Sequence, residues 1–367
     1  MREQLRFEDC TALCRLPWFE RDRATGLPRL LEGVADDIVD AHTHLGWSYG
    51  LARRLRLRVR TPEVQHFFPE RGVPVELGHY SAWDFPPEVA RRTRRESVSA
   101  LWTARGARAT FTVPNLLAEM DRLGVREAVV LAIEMPILSR CTEDFLEATA
   151  GADRLHVFCS VHPFAVGNRR RVARAVARGA CGMKLHPATQ LVAPDHPRML
   201  RAARLAAAHR LPVLFHTGAS PIAPRLTDRL CRLARFERVV AELPETTFIF
   251  GHAGIDEYRV AMALARRYPN VVLELSGQPP ARIREMIQEL GPERLAFGSD
   301  WPFYPIALPL AKVLIATEDE PAARAAILAG TIRRIVAPLG RRRAEGACAP
   351  AASSALPAAR AGTAPAL

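Results

Sequence analysis

Eight short apolar segments, seven of them entered from a helical pattern, predict an α/β chain folded as a (β/α)8 barrel. Polar residues recur where those segments end, and barrel enzymes place their chemistry at that face. Near-continuous apolar strands between amphipathic helices indicate a parallel sheet covered on both sides. An open doubly wound sheet is the alternative, but no GxGxxG follows any strand. The length of 367 residues, 49% of them hydrophobic, suits one large barrel as well as two ordinary domains.

Residues 1–35 read as a mixed lead-in, where Pro17, Gly26 and Pro28 break any long helix. The barrel is assigned to 36–340. Strand one, 37–44, ends in His42 and His44. Side chains two apart on a strand share a face, so the pair projects together, roughly 6–7 Å apart. Two imidazoles so placed can chelate one divalent ion; the plainer alternative is a strand with two satisfied polar residues. Residues 46–110 are too long for an ordinary βα loop. They carry Arg-rich runs, five prolines, and Trp47, Trp83 and Trp102. They read as a partly helical insertion over the active site, its tryptophans forming a small core of its own.

From residue 115 the alternation is regular. A helix over 115–123 is closed by Gly124, and strand two, 127–133, leads to Glu134. A helix over 142–150, capped by Thr142, precedes strand three, 155–161, which ends at His162. Helix 168–178 precedes strand four, 180–185, and His186. Helix 198–209 precedes strand five, 212–215, and His216. Helix 226–243 precedes strand six, 247–250, and His252. Helix 256–267 precedes strand seven, 271–275, and Ser276. Helix 281–290 precedes strand eight, 295–298, and Asp300. Two helices follow, near 307–317 and 320–336. Residues 341–367 are rich in Ala, Pro and Arg and read as a disordered tail.

The net charge is +12, which raises the question of nucleic acid. Only Lys184 and Lys312 are lysines; the other 49 of 51 basic residues are arginine. Such a lopsided choice reads as compositional bias and a solvated Arg-rich surface, and a basic surplus near a pocket also favours anionic substrates. The seven cysteines are unpatterned, so a zinc ribbon is not expected and a reducing cytoplasm is the simplest compartment. The N-terminus lacks the apolar stretch of a secretory signal, and no apolar run approaches the ~18–20 residues that cross a membrane.

Six of the eleven histidines, together with Asp300, sit at strand ends: His42, His44, His162, His186, His216 and His252. Histidine and carboxylate clusters of this kind mark metal sites. Lys184 lies two residues before His186 and faces the same way, into the barrel. In a chain that otherwise writes its basic residues as arginine, it suggests a need for an amine, or else a Lys–carboxylate pair inside the barrel.

Asp40-Ala41-His42-Thr43-His44, Gly182-Met183-Lys184-Leu185-His186-Pro187, His216, Gly251-His252-Ala253-Gly254 and Gly298-Ser299-Asp300-Trp301-Pro302 together resemble the amidohydrolase superfamily. The likeness is to its amidohydrolase-related branch of TIM-barrel enzymes, which holds aminocarboxymuconate-semialdehyde decarboxylase, resorcylate decarboxylases and uncharacterised metal-dependent hydrolases. It covers about residues 36–337. The resemblance implies His42, His44, His216 and Asp300 as metal ligands, with His252 moving protons; independently of it, acid–base chemistry at a bound ion lets Asp300 also take the proton of the water. A second resemblance, to dihydroorotase-like members, implies a carbamylated Lys184 that bridges a second ion with His216 and His252. One metal or two stays open, with one favoured by the branch. Gly330 to Arg334 departs from the Gly-Asn-Ala helix start common in the family, and residues 46–110 match no motif.

These readings point to a metal-dependent hydrolase acting through a metal-bound water on a small, carboxylate-bearing substrate. Non-oxidative decarboxylation is the alternative, and a catalytically inactive barrel used as a binding protein is the second. Zinc is the default ion for a His-rich site, with Mn or Fe as alternatives. Lys184 and His186 are candidates for a second metal or for substrate. No membrane partner is expected, a homo-oligomer is compatible, and nucleic acid is disfavoured because Lys184 and His186 stand where deoxyribonuclease relatives carry a glutamate.

Overall fold

The computed structural model describes residues 5–50, 54–135, 139–219 and 225–336. Its centre is one parallel sheet of eight strands: β1 Val39–Thr43, β2 Glu127–Leu131, β3 Leu155–Cys159, β4 Gly182–Leu185, β5 Val213–His216, β6 Phe248–Gly251, β7 Val271–Glu274 and β8 Leu295–Ala296. Each strand pairs with its sequence neighbour, so the spatial order is the chain order. The ring closes through backbone bonds from the segment after β8 to β1: Ala41 N to Phe297 O, Asp300 N to His42 O and His44 N to Trp301 O. Strand eight, Leu295–Ala296, is shorter than the 295–298 expected, and its continuation meets β1 through these separate bonds instead.

The helices run in chain order: α1 Pro87–Ser99, α2 Val113–Arg122, α3 Cys141–Ala148, α4 Asn168–Ala177, α5 Pro187–Gln190, α6 Pro197–Ala208, α7 Glu237–Glu242, α8 Tyr258–Arg267, α9 Pro280–Leu290, α10 Ala307–Ala316 and α11 Pro321–Ala325. Three expectations need correction. Thr142 does not cap α3; its backbone N–H donates to the Glu134 carboxylate at 2.8 Å and its hydroxyl to Ser160 O. The helix expected over 226–243 is two 3-10 turns, Arg225–Leu230 and Leu233–Phe236, followed by α7. Its ladder breaks because Gly218 N takes the Cys231 carbonyl, while Leu233 N donates to Glu257. The expected helix over 320–336 is interrupted by a wide turn at Ala326–Gly330.

The lower barrel is filled by Val129, Leu131, Phe158, Leu214, Ile249, Val272 and Ala296, in one cluster with Ala329, Ile332 and Val336. The last three come from the C-terminal helical segment, which plugs the N-terminal end. Phe158 has room because Gly182 faces it: a Cβ there would lie 2.4 Å from the ring. Above this layer the inward positions turn polar, and that change of layer creates the site.

Residues before β1 and after it pack together. Arg6–Phe7 pairs antiparallel with Val75–Glu76, and Phe19–Arg21 pairs with Pro28–Leu30. The 46–110 segment is fastened to the C-terminal face by Phe67 N to Pro302 O, Phe68 N to Phe303 O and Ser81 N to Gly277 O. Its tryptophans do not form a core of their own. Trp47 stacks on Phe303 beside Phe67 and Phe111, whereas Trp83 and Trp102 are 57% and 62% exposed. The tail at 341–367 lies outside the described residues. No helix among the described residues is long and apolar enough to cross a membrane.

Candidate active site

Strand alternation brings the strand-end residues into one buried group at the C-terminal face. His42 Nε2 and His44 Nε2 each lie 3.5 Å from Asp300 Oδ1. His42, His252 and Asp300 have ligand atoms within 4.8 Å of one another. His216 stacks on His186 at 4.1 Å between ring centres and meets His252 edge-on at 4.7 Å. Lys184 is buried, with Nζ 3.3 Å from His42 Nε2. His162 stands apart: its Nδ1 accepts from Phe164 N and its Nε2 donates to Gln190 O, so both ring nitrogens are used structurally.

Each ring is aimed by what holds its other nitrogen. His44 Nδ1 donates to Leu131 O at 2.9 Å, and a carbonyl can only accept, so its Nε2 carries the lone pair. His42 Nδ1 lies 2.7 Å from the Glu274 carboxylate. His216 makes a backbone hydrogen bond to Gly218, while its Nε2 is buried with no partner. His186 is the reverse case. Its Nδ1 accepts from Thr189 N at the start of α5, so Nε2 carries the proton and is a donor.

Asp300 reaches this group in a left-handed conformation, φ +59°. Its amide is bound by His42 O, and the neighbouring Ser299 N donates to Asp40 Oδ1, which also accepts His42 N. Asp40 thus ties the first strand to the last. The segment after β6 is also left-handed at His252, Ala253, Gly254 and Ile255. Backbone strain of this kind persists where surrounding structure over-determines it, which is common at functional sites.

Burial sets the electrostatics. It drives His42, His186 and His252 well below the ordinary imidazole value and His216 to about 3, reinforced by the Lys184 charge. These rings are neutral and keep free lone pairs. Burial lowers Lys184 to about 8, opposed by Asp300 and Glu274, and raises Asp300. Imidazole nitrogens of His42, His44 and His252 gathered beside the Asp300 carboxylate, with the unpartnered His216 Nε2 in the same histidine group, suit a divalent ion.

Glu274 is the site residue that sequence reasoning passed over. It is fully buried on β7, and burial raises it to about 8 against the hydrogen bonds that favour its charge. The available signal was an acid inside an otherwise apolar strand, two residues before Ser276 and on the same face.

A family model described as amidohydrolase matches residues 39–337, and the chain belongs to that family of metal-dependent enzymes. Comparison with curated proteins finds no match. Among solved structures, an uncharacterised TIM-barrel protein from Bordetella bronchiseptica is 18% identical with TM-score 0.58, covering 83% of this chain and 100% of its own. A probable 2-pyrone-4,6-dicarboxylic acid hydrolase from Acinetobacter baumannii, solved with citric acid, is 13% identical with TM-score 0.50, over 82% and 99%. The 5-carboxyvanillate decarboxylase of Novosphingobium aromaticivorans, solved with manganese and 4-hydroxy-3-methoxy-5-nitrobenzoic acid, is 17% identical with TM-score 0.51, over 81% and 99%. At these identities the likeness is one of fold.

Proposed function

We propose that the chain is a mononuclear metal-dependent hydrolase of a small, carboxylate-bearing substrate, with His42, His44, His216 and Asp300 holding the ion. The observation that carries this reading is the pair of imidazole nitrogens, His42 Nε2 and His44 Nε2, that meet Asp300 Oδ1 from rings whose Nδ1 is already occupied, with the buried His216 Nε2 left without a partner in the same histidine group. Zinc is the assignment for so many imidazoles, and the manganese in the decarboxylase of similar fold keeps manganese as the alternative. A bound divalent ion supplies Lewis-acid polarisation of a substrate oxygen and makes water acidic enough to ionise near neutral pH. Asp300 would hold the ion through Oδ1, and its carboxyl, raised by burial, would take up a proton from water at the site. His252, neutral and buried, moves a proton to or from the substrate at Nε2. Lys184 Nζ and the His186 Nε2–H bind the substrate carboxylate. The stacked Trp47 and Phe303, with His44 edge-on to Phe303, form an apolar wall that limits water. The buried free thiols of Cys10, Cys141, Cys159 and Cys231 support the proposal of a reducing cytoplasm.

Decarboxylation is the second reading, favoured by the decarboxylase of similar fold. The same residues serve it: His252 Nε2 takes up a solvent proton and passes it to carbon rather than to a leaving group. Turnover of lactone, amide and aromatic carboxylate panels in ¹⁸O water tests the choice. Label in the product carboxylate supports hydrolysis. Release of CO₂ with solvent hydrogen at carbon replaces it with decarboxylation.

A further inference from the structure

We propose that Glu274 and Ser276 form a relay that fixes the tautomer of His252, holding its Nε2 lone pair toward the substrate. The inference deepens the role given above to His252 and rests on that reading. Both are positioning residues rather than catalytic ones.

Glu274 and Ser276 are fully buried, two residues apart on and just after β7, and they share a face. Glu274 Oε2 gathers three donors: His42 Nδ1 at 2.7 Å, Ser276 Oγ at 2.9 Å and His252 N at 3.0 Å. Glu274 Oε1 accepts Ser276 N at 2.6 Å. Ser276 Oγ also lies 2.8 Å from His252 Nδ1. A hydroxyl has one proton to give, and an ionised carboxylate only accepts. The Ser276 proton therefore points to Glu274, and the Ser276 oxygen accepts a proton carried by His252 Nδ1. The opposite arrangement would set a hydroxyl lone pair against a carboxylate oxygen at 2.9 Å.

Both Glu274 oxygens already accept backbone N–H groups, Oε1 from Ser276 and Oε2 from His252, so the acid group is held as an acceptor whether or not an ion is bound. The hub is also tightly seated. A Cβ on Gly298 would lie 2.3 Å from Glu274 Oε1 and 2.8 Å from His42 Cβ. Gln278 holds the left-handed segment itself, donating to His252 O at 2.8 Å and Ile255 O at 3.0 Å. One carboxylate on β7 thus orients the ring of a proposed ligand, and, through a hydroxyl, the ring of the proposed proton carrier.

The two contacts predict separable defects. Ser276→Ala removes the hydroxyl between Glu274 and His252 but leaves the Glu274–His42 contact, so turnover falls about tenfold or more while bound zinc per chain is unchanged. Glu274→Gln replaces the charged acceptor of His42 with a neutral amide, so zinc affinity measured by chelator competition falls roughly 10–100-fold. The direct test is long-range ¹H–¹⁵N correlation on histidine-labelled full-length protein, with His252 assigned through the loss of its signals in His252→Asn. The relay predicts the Nδ1–H tautomer for His252 in the wild type and a shift toward Nε2–H in Ser276→Ala. An Nε2–H tautomer in the wild type, or an unchanged tautomer in Ser276→Ala, overturns it. This readout needs neither metal nor activity. A wild-type chain that takes up no metal removes the metal-dependent reading, while the tautomer still decides the relay.

Discussion

Lys184 sits at the point where the site's alternatives part. It is buried against His42, and the only other lysine, Lys312, is equally buried, donating to His79 O, Ser81 Oγ and Gly277 O. A free ammonium among histidine lone pairs repels a second cation, so it fits a one-metal site in which the amine binds an anionic substrate. Lys184→Met is then expected to keep metal content near wild type and to raise KM for a carboxylate substrate about tenfold or more. A fall in bound metal would instead make Lys184 a carbamylated ligand. For His252, the expected outcome of His252→Asn is normal metal content with turnover lower by roughly 10²-fold, read by steady-state kinetics beside metal analysis. Lost metal would move His252 from proton transfer to ligation.

At the scale of elements, α2 controls the segment that delivers Asp300. Glu119 on α2 accepts from Trp301 Nε1 at 2.9 Å, Ile306 N at 2.7 Å and His66 Nε2 at 3.0 Å. Burial alone would raise this carboxyl, but His66 and Arg122 outweigh it and hold Glu119 lowered. Glu119→Ala leaves those donors unpaired in the interior and is expected to cost about 3 kcal/mol or more, measured by denaturant midpoints. The eight-strand order and the strand-end positions of His42, His44, His186, His216, His252 and Asp300 were legible in the sequence, because strand periodicity and length are local signals. Glu274 and the break in the 226–243 helix were not legible. The first is defined by contacts to residues on β1 and after β6, the second by Gly218 and Glu257 claiming backbone groups from elsewhere in the chain. His162 misled because its position matches the others and only its two partners reveal a structural role.

At the scale of the whole molecule, the barrel is latched at its N-terminal end. Arg333 in the C-terminal helical segment pairs with Asp37 just before β1 and with Glu127 at the start of β2, and His156 on β3 also bonds Glu127. The His156 bond, with Arg333 adding to it against partial burial, lowers Glu127 from 4.5 to about 2. A carboxylate depressed on folding contributes stability above its unfolded value and loses it as pH falls through the folded one. The Glu127 contribution is therefore full above about 4.5 and gone near 2. The stability gap between wild type and Glu127→Gln should shrink across that window, as denaturant titrations at stepped pH would record; a gap that stays constant there would count against the latch.

The latch and the α2 anchor hold the barrel around the site proposed for a divalent ion between His42, His44, His216 and Asp300. The most direct test is metal content per chain in protein purified without chelator, beside a His42→Ala/His44→Ala control. The expected result is about one equivalent in the wild type and loss of that metal in the control. No bound metal, with none taken up on adding zinc or manganese, would contradict the account.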